Sequence, residues 1–195
     1  MVSSLTNTRT LDTDTVLRAR WRDLWKRIGA QGSAGAPGQR LLDLWGDPAR
    51  AYHDKHHLAH GLTELDGARA MAERPDAIEV AWWFHDAIYL PLIHAPASEE
   101  QSAGLAQKML RRAETSEELI AHVVEFILAT KHDVHPVNLP IDTQLITDTD
   151  LAILASPENL DRLNAALREL QADCIAVPPL SAAHLQRGHG VHFRC

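Results

Sequence analysis

Apolar residues recur at three- and four-residue steps along most of this chain, the period of helices buried on one face. Val16, Leu17, Trp21, Leu24, Trp25 and Ile28 make one such stripe, ended by Gly29. Four glycines and Pro37 between Gly29 and Gly38 predict a surface loop, followed by a short helix at Leu41, Leu42 and Trp45. Asp47-Pro48 fits an N-cap with proline at the first helical position, opening a helix that reaches about Met71. Beyond the Arg74-Pro75-Asp76 breaker, Ile78, Val80, Ala81, Trp82, Phe84 and Ile88 predict a helix that is apolar on most sides, hence central. Leu90 to Ala97 is expected to be a loop. Ser98-Glu99-Glu100-Gln101 and Thr115-Ser116-Glu117-Glu118 both fit the capping box, so helices are expected over 99–113 and 116–131. A short helix over 147–155 and a last one from Ser156-Pro157 through Leu170 complete the pattern. No stretch alternates with period two, so the expected fold is an all-α bundle.

At 195 residues the chain suits one domain, residues 1–172, with a divergent, loosely ordered tail over 173–195. Asp and Glu number 26 against 19 Lys and Arg, a net charge of −7, and this balance argues against a nucleic-acid binder. Arg18, Arg20, Arg22, Lys26 and Arg27 are expected to form the wet face of the first helix rather than a phosphate stripe. No apolar run is long enough for a membrane span, and residues 1–15 lack the pattern of a signal peptide. Cys174 and Cys195 sit too near one end to staple the fold, and a reducing cytoplasm is the simpler expectation. Trp21 or Trp45, if exposed, would suit a homodimer interface, and both suit a core equally.

The unusual count is twelve histidines, six of which (His53, His56, His57, His60, His85 and His94) crowd one stretch. His85-Asp86 falls in the most apolar predicted helix, where an unpaired carboxylate is costly. A divalent cation relieves that cost by taking imidazole nitrogen and carboxylate oxygen together; pairing with Arg or Lys is the plainer alternative. His53, His57 and, nearly, His60 share a face of the helix upstream. Asp54 follows His53 where a zincin motif needs Glu, so a zinc protease is disfavoured.

Five segments in order carry a resemblance: Tyr52 to His57, Trp83 to Tyr89, Ser98 to Ala103, Thr130 to His132, and Asp148 to Leu151. Over about residues 40–155 the chain resembles the HD superfamily of metal-dependent phosphohydrolases, most of all its small stand-alone branch. The resemblance implies a helical HD-like bundle in which His57, His85, Asp86 and Asp150 hold a divalent ion. The ion would be Mn, Fe, Co, Ni, Zn or Mg. His53 rivals His57, and Asp148 rivals Asp150. The apolar Leu58 and Leu151, which follow as in the family, favour His57 and Asp150.

The same resemblance gives catalytic roles to three further residues. Glu99 would orient or deprotonate the attacking water, although a first-turn Glu also complements a helix dipole. Lys131 and His132 would neutralise phosphate, although cations suit a helix C-terminus in any case. His56 and His60 are expected at the surface or behind the ligands, and His94, His122 and His135 carry no argument. The likeness fades after Ser156. A metal-binding tail built on His184, His189 and His192 is a weaker reading than local divergence.

The implied activity is hydrolysis of a phosphate ester of a small metabolite or nucleotide, with no nucleic-acid or membrane partner. Two alternatives stand beside it: an HD-fold di-iron oxygenase, with His53, His60 or His132 as extra ligands, and a non-catalytic, metal-stabilised binding domain.

Overall fold

Helix α1, Thr13–Arg27, buries Leu17, Trp21, Leu24 and Trp25 along the stripe read from the sequence. The computed structural model describes residues 12–50, 52–89, 98–131 and 138–155. The helix expected from Ser156, the tail over 173–195 and the loop Leu90 to Ala97 lie outside the described residues. Within them the remaining helices are α2 (Gly35–Trp45), α3 (Lys55–Ala68), α4 (Pro75–Phe84), α5 (Ser98–Arg112), α6 (Glu117–Ala129) and α7 (Ile141–Ala155). The described residues contain no strand, so the fold is all-α. No described helix is long and apolar enough to cross a membrane.

Helix α4 is the centre of the packing and touches α1, α3, α5, α6 and α7. Its residues Ala77 to Phe84 are all buried, which explains a helix apolar on most sides. Trp21, Trp45, Trp82, Trp83 and Phe84 are the largest fully buried side chains. Burying a Leu- or Phe-sized group contributes about 1.5–3 kcal/mol, so these rings dominate the core. Trp21 and Trp45 are therefore core residues and offer no dimer surface. Two indoles also lock helices together: Trp45 Nε1 donates to Trp83 O at 3.0 Å, and Trp82 Nε1 donates to Leu58 O at 3.0 Å. At Gly61 on α3, a Cβ would stand 2.0 Å from the Trp82 ring, so only glycine admits this approach of α3 to α4.

Several predicted boundaries shift, each for a local reason. The glycine-rich stretch is not a loop as far as Gly38, because α2 starts at Gly35. Pro37 is tolerated there since amides of the first turn have no partner within the helix. Asp47 does not cap a helix. Its Oδ1 accepts from Ala49 N at 2.9 Å in a tight turn, and α3 begins only at Lys55. Asp54 is the true cap, its carboxylate accepting from the amides of His56 and His57. Helix α4 stops at Phe84, so His85 is its C-cap and Asp86 lies in the turn beyond rather than inside the helix. Helix α5 starts at Ser98, one residue early, and α7 extends back to Ile141. At α6 the cap is Ser116, whose Oγ accepts from Leu119 N, while the Thr115 hydroxyl donates back to Leu110 O.

The basic face of α1 is only partly wet. Arg22 and Lys26 are exposed as expected, but Arg20 and Arg27 reach across to Glu79 on α4, whose side chain is 3% exposed. Arg69, just past α3, adds a third guanidinium to that carboxylate at 3.3 Å. Asp66 and Asp76 complete the network through Arg20, Arg27 and Arg69.

Candidate metal centre

Three chain segments converge on one point. Helix α3 supplies His57 from its first turn, the end of α4 supplies His85 and Asp86, and α7 supplies Asp150. One ligand atom from each lies within 4.8 Å of every other. His57 Nε2 stands 3.3 Å from His85 Nε2 and 3.4 Å from Asp150 Oδ1. His85 Nε2 stands 3.1 Å from Asp86 Oδ2 and 3.6 Å from Asp150 Oδ1.

The protonation of His85 follows from its other nitrogen. Nδ1 lies 2.8 Å from the carbonyl oxygen of Trp82, which can only accept, so Nδ1 carries a proton and donates. In the neutral ring Nε2 is then a lone pair aimed at two carboxylates and a second imidazole. Acceptors this close are reconciled by a proton or by a metal ion among them. Metal bonds of about 2.0–2.2 Å put neighbouring ligand atoms roughly 3 Å apart, so the nitrogen–oxygen donor set and its spacing fit one divalent ion.

The electrostatics agree with that demand. Burial opposes a charge on His85, but Asp86 and Asp150 outweigh it and push the pKa up to about 10. Burial would likewise raise the Asp86 pKa, yet His85 and His53 hold it well below the usual carboxylate range. Burial dominates at His57 and lowers its pKa, which keeps that ring neutral and available as a ligand. Among the described residues, His57 Nδ1 has no hydrogen-bond partner.

Aromatic rings wall the imidazole side. Trp82 stacks on His85 with centroids 4.1 Å apart, and Trp45 and Tyr52 pack against His57. The two histidines are at most 1% exposed, whereas Asp86 is 13% and Asp150 16% exposed, so the cluster meets solvent on its carboxylate side.

The rival ligands separate clearly. Asp148 is exposed, two residues and therefore more than half a helical turn from Asp150. His53 precedes the Asp54 cap and so does not share a helix face with His57. Its ring stacks on Tyr89 at 4.5 Å, and its Nε2 stands 3.8 Å from Asp86 Oδ2, beside the four rather than among them. His56 is exposed, and His60 stands 3.9 Å from Glu64.

Glu99 is half-buried in the first turn of α5. Burial and the neighbouring charges of Asp86 and Glu100 raise its pKa against the pull of Lys131. Lys131 itself pairs with Glu100 at 2.5 Å. His132 lies outside the described residues.

Arg50 is the site residue that sequence reasoning missed. It sits in the turn before α3, and its guanidinium donates to the carbonyls of His53, Asp86 and Ala87. No local signal marks it, because its partners Asp86 and Ala87 are 36 and 37 residues away.

A separate cavity of about 850 Å3 between α2 and α5 carries Arg40, Lys108 and Arg112, and none of the four clustered residues lines it. No protein-family model, curated protein or solved structure matches the chain.

Proposed function

We propose that the chain is a metal-dependent phosphohydrolase acting on a phosphate ester of a small metabolite or nucleotide, the activity its resemblance to the HD superfamily implies. The observation that carries the reading is the convergence of two imidazole nitrogens and two carboxylates, all within 4.8 Å of one another, a donor set that suits one divalent ion. His57, His85, Asp86 and Asp150 would hold the ion. A divalent ion in such a site lowers the pKa of a bound water and polarises a phosphoryl oxygen.

The chain's own groups supply the rest. Glu99, with its proton affinity raised by burial and by Asp86, is suited to accept a proton from the attacking water. Lys131 brings positive charge to the same end of α5 and would trade its pairing with Glu100 for a substrate phosphate. The tryptophan wall keeps solvent from the imidazoles, so substrate approaches on the carboxylate side. Asp86 and Asp150, acceptors only, leave charge neutralisation there to cationic neighbours.

The deciding experiment measures metal in protein purified without chelator, for wild type and Asp86→Ala, followed by a panel of phosphate esters. About one equivalent of divalent metal, lost in the variant together with hydrolysis, is the expected result. Turnover by a metal-free protein would overturn the reading, and bound metal without hydrolysis would favour the non-catalytic binding domain. His53 beside Asp86 favours a second reading, a di-iron oxygenase. Iron at twice the expected stoichiometry, with oxygen-dependent turnover, would bring it forward.

A further inference from the structure

The two segments that carry the imidazoles are tied one turn into α3 by the Trp82 bond to Leu58 O, while their ends, where His57 and Asp86 stand, are joined by a different group. His57 and His85 face each other through Nε2 atoms 3.3 Å apart, which repel when both are neutral acceptors. The turn before α3 and the turn after α4 are joined instead by Arg50. Its Nη1 donates to His53 O at 3.1 Å and to Asp86 O at 2.7 Å, and its Nη2 donates to Ala87 O at 3.0 Å. The guanidinium lies over the ring of Trp45 at 5.6 Å and over that of Tyr89 at 5.8 Å, so its position is fixed on its faces as well as its edges.

Each bond has a consequence for a ligand. Asp86 O and Ala87 O belong to the turn where α4 has ended, and their orientation sets where the Asp86 carboxylate points. His53 O precedes the Asp54 cap, and that cap's carboxylate holds the amide of His57 at 3.1 Å. Together with the Trp82 bond to Leu58 O, this planar fork sets the spacing between the start of α3 and the turn after α4, hence between His57 and the His85-Asp86 pair. An ammonium group is a point charge and cannot present the same set of donors to carbonyls from two segments.

We propose that Arg50 is the positioning residue of the metal centre, a clamp on backbone carbonyls that preorganises His57, His85 and Asp86 for one divalent ion. The inference rests on the metal-site reading above. Groups behind the ligands commonly change metal affinity by about 10–100-fold when removed, and that is the effect expected here.

The test titrates Mn2+ or Zn2+ into full-length wild type, Arg50→Ala and Arg50→Lys, with amide hydrogen exchange of the metal-free proteins over residues 52–57 and 84–89. Both variants should bind about 10–100-fold more weakly. Exchange should quicken in those two segments while α5 and α6 keep their protection. Guanidinium ion, far below denaturing concentrations, should restore affinity to Arg50→Ala, a rescue that a general loss of structure would not show. Wild-type affinity in Arg50→Ala, or in Arg50→Lys, would overturn the clamp and leave the metal site standing. Weakened binding with protection lost throughout and no rescue would overturn it too. A wild type that binds neither ion would overturn the metal reading and with it this role for Arg50.

Discussion

At the scale of single residues, the chemistry turns on which atom of a side chain is left with a lone pair. His85 is committed by the Trp82 carbonyl, so its Nε2 faces the cluster whatever else binds there. Glu99 is the residue whose role a conservative change can isolate. Glu99→Gln keeps its size and removes its basicity, so hydrolysis should fall by about 10²–10⁴-fold with metal content unchanged. If the carboxylate served only the dipole of α5, the same change would cost about 0.3–1 kcal/mol in stability and leave turnover intact. Steady-state kinetics beside a urea titration separates the two. That Asp150 rather than Asp148, and His57 rather than His53, joins the cluster was legible in the sequence only through the apolar neighbours Leu151 and Leu58. The physical reason is helix phase at Asp148, which faces solvent, and the Asp54 cap at His53, which stops that residue from sharing a helix with His57.

At the scale of elements, caps decide where the clustered side chains stand. Asp54 holds the amides of His56 and His57, so the first turn of α3 and the His57 ring are set by one carboxylate. Asp54→Ala should cost about 0.5–2 kcal/mol in chemical denaturation, and it should also weaken metal binding because His57 loses its anchored amide. Wild-type metal affinity in that variant would show that packing alone places His57. Helix existence was legible throughout the described residues, since the 3.6-residue period needs only local information. Helix ends were less so. Asp47-Pro48 has the composition of a cap, but the Asp47 side chain closes its own turn on Ala49. The apolar run through Ile88 reads as continuous helix, yet carbonyls beyond Phe84 turn outward to a guanidinium 36 residues upstream. No window of sequence contains that pair.

For the molecule as a whole, the Glu79 network ties α1, the end of α3 and α4 into one unit. Arg20 and Arg27 read as part of a solvated stripe because period alone cannot reveal a buried acid on a distant helix. Asp76 gives the network a pH dependence. Burial would raise its pKa, but Arg69 and Arg27 outweigh that and hold it below its ordinary value of 3.8. A group depressed on folding contributes stability above its unfolded pKa and loses that contribution as pH falls through the folded value. Asp76→Asn should therefore lower the melting temperature at neutral pH and flatten its decline below about pH 4. Parallel melting curves for variant and wild type across that range would contradict the assignment.

Trp82 lies 4.1 Å from His85 and Trp45 lies 5.5 Å from it, ring centre to ring centre. Two of the five indoles are thus in a position to sense the electronic state of whatever the imidazoles hold. A paramagnetic ion such as Co2+ or Ni2+ seated there should drain their excited states, dimming the emission as the site fills, while Trp21 and Trp25, which make no ring contact with either imidazole, supply a background. The protein would then report its own occupancy in ultraviolet light without any added dye. Asp86→Ala, given the same ion, should stay bright.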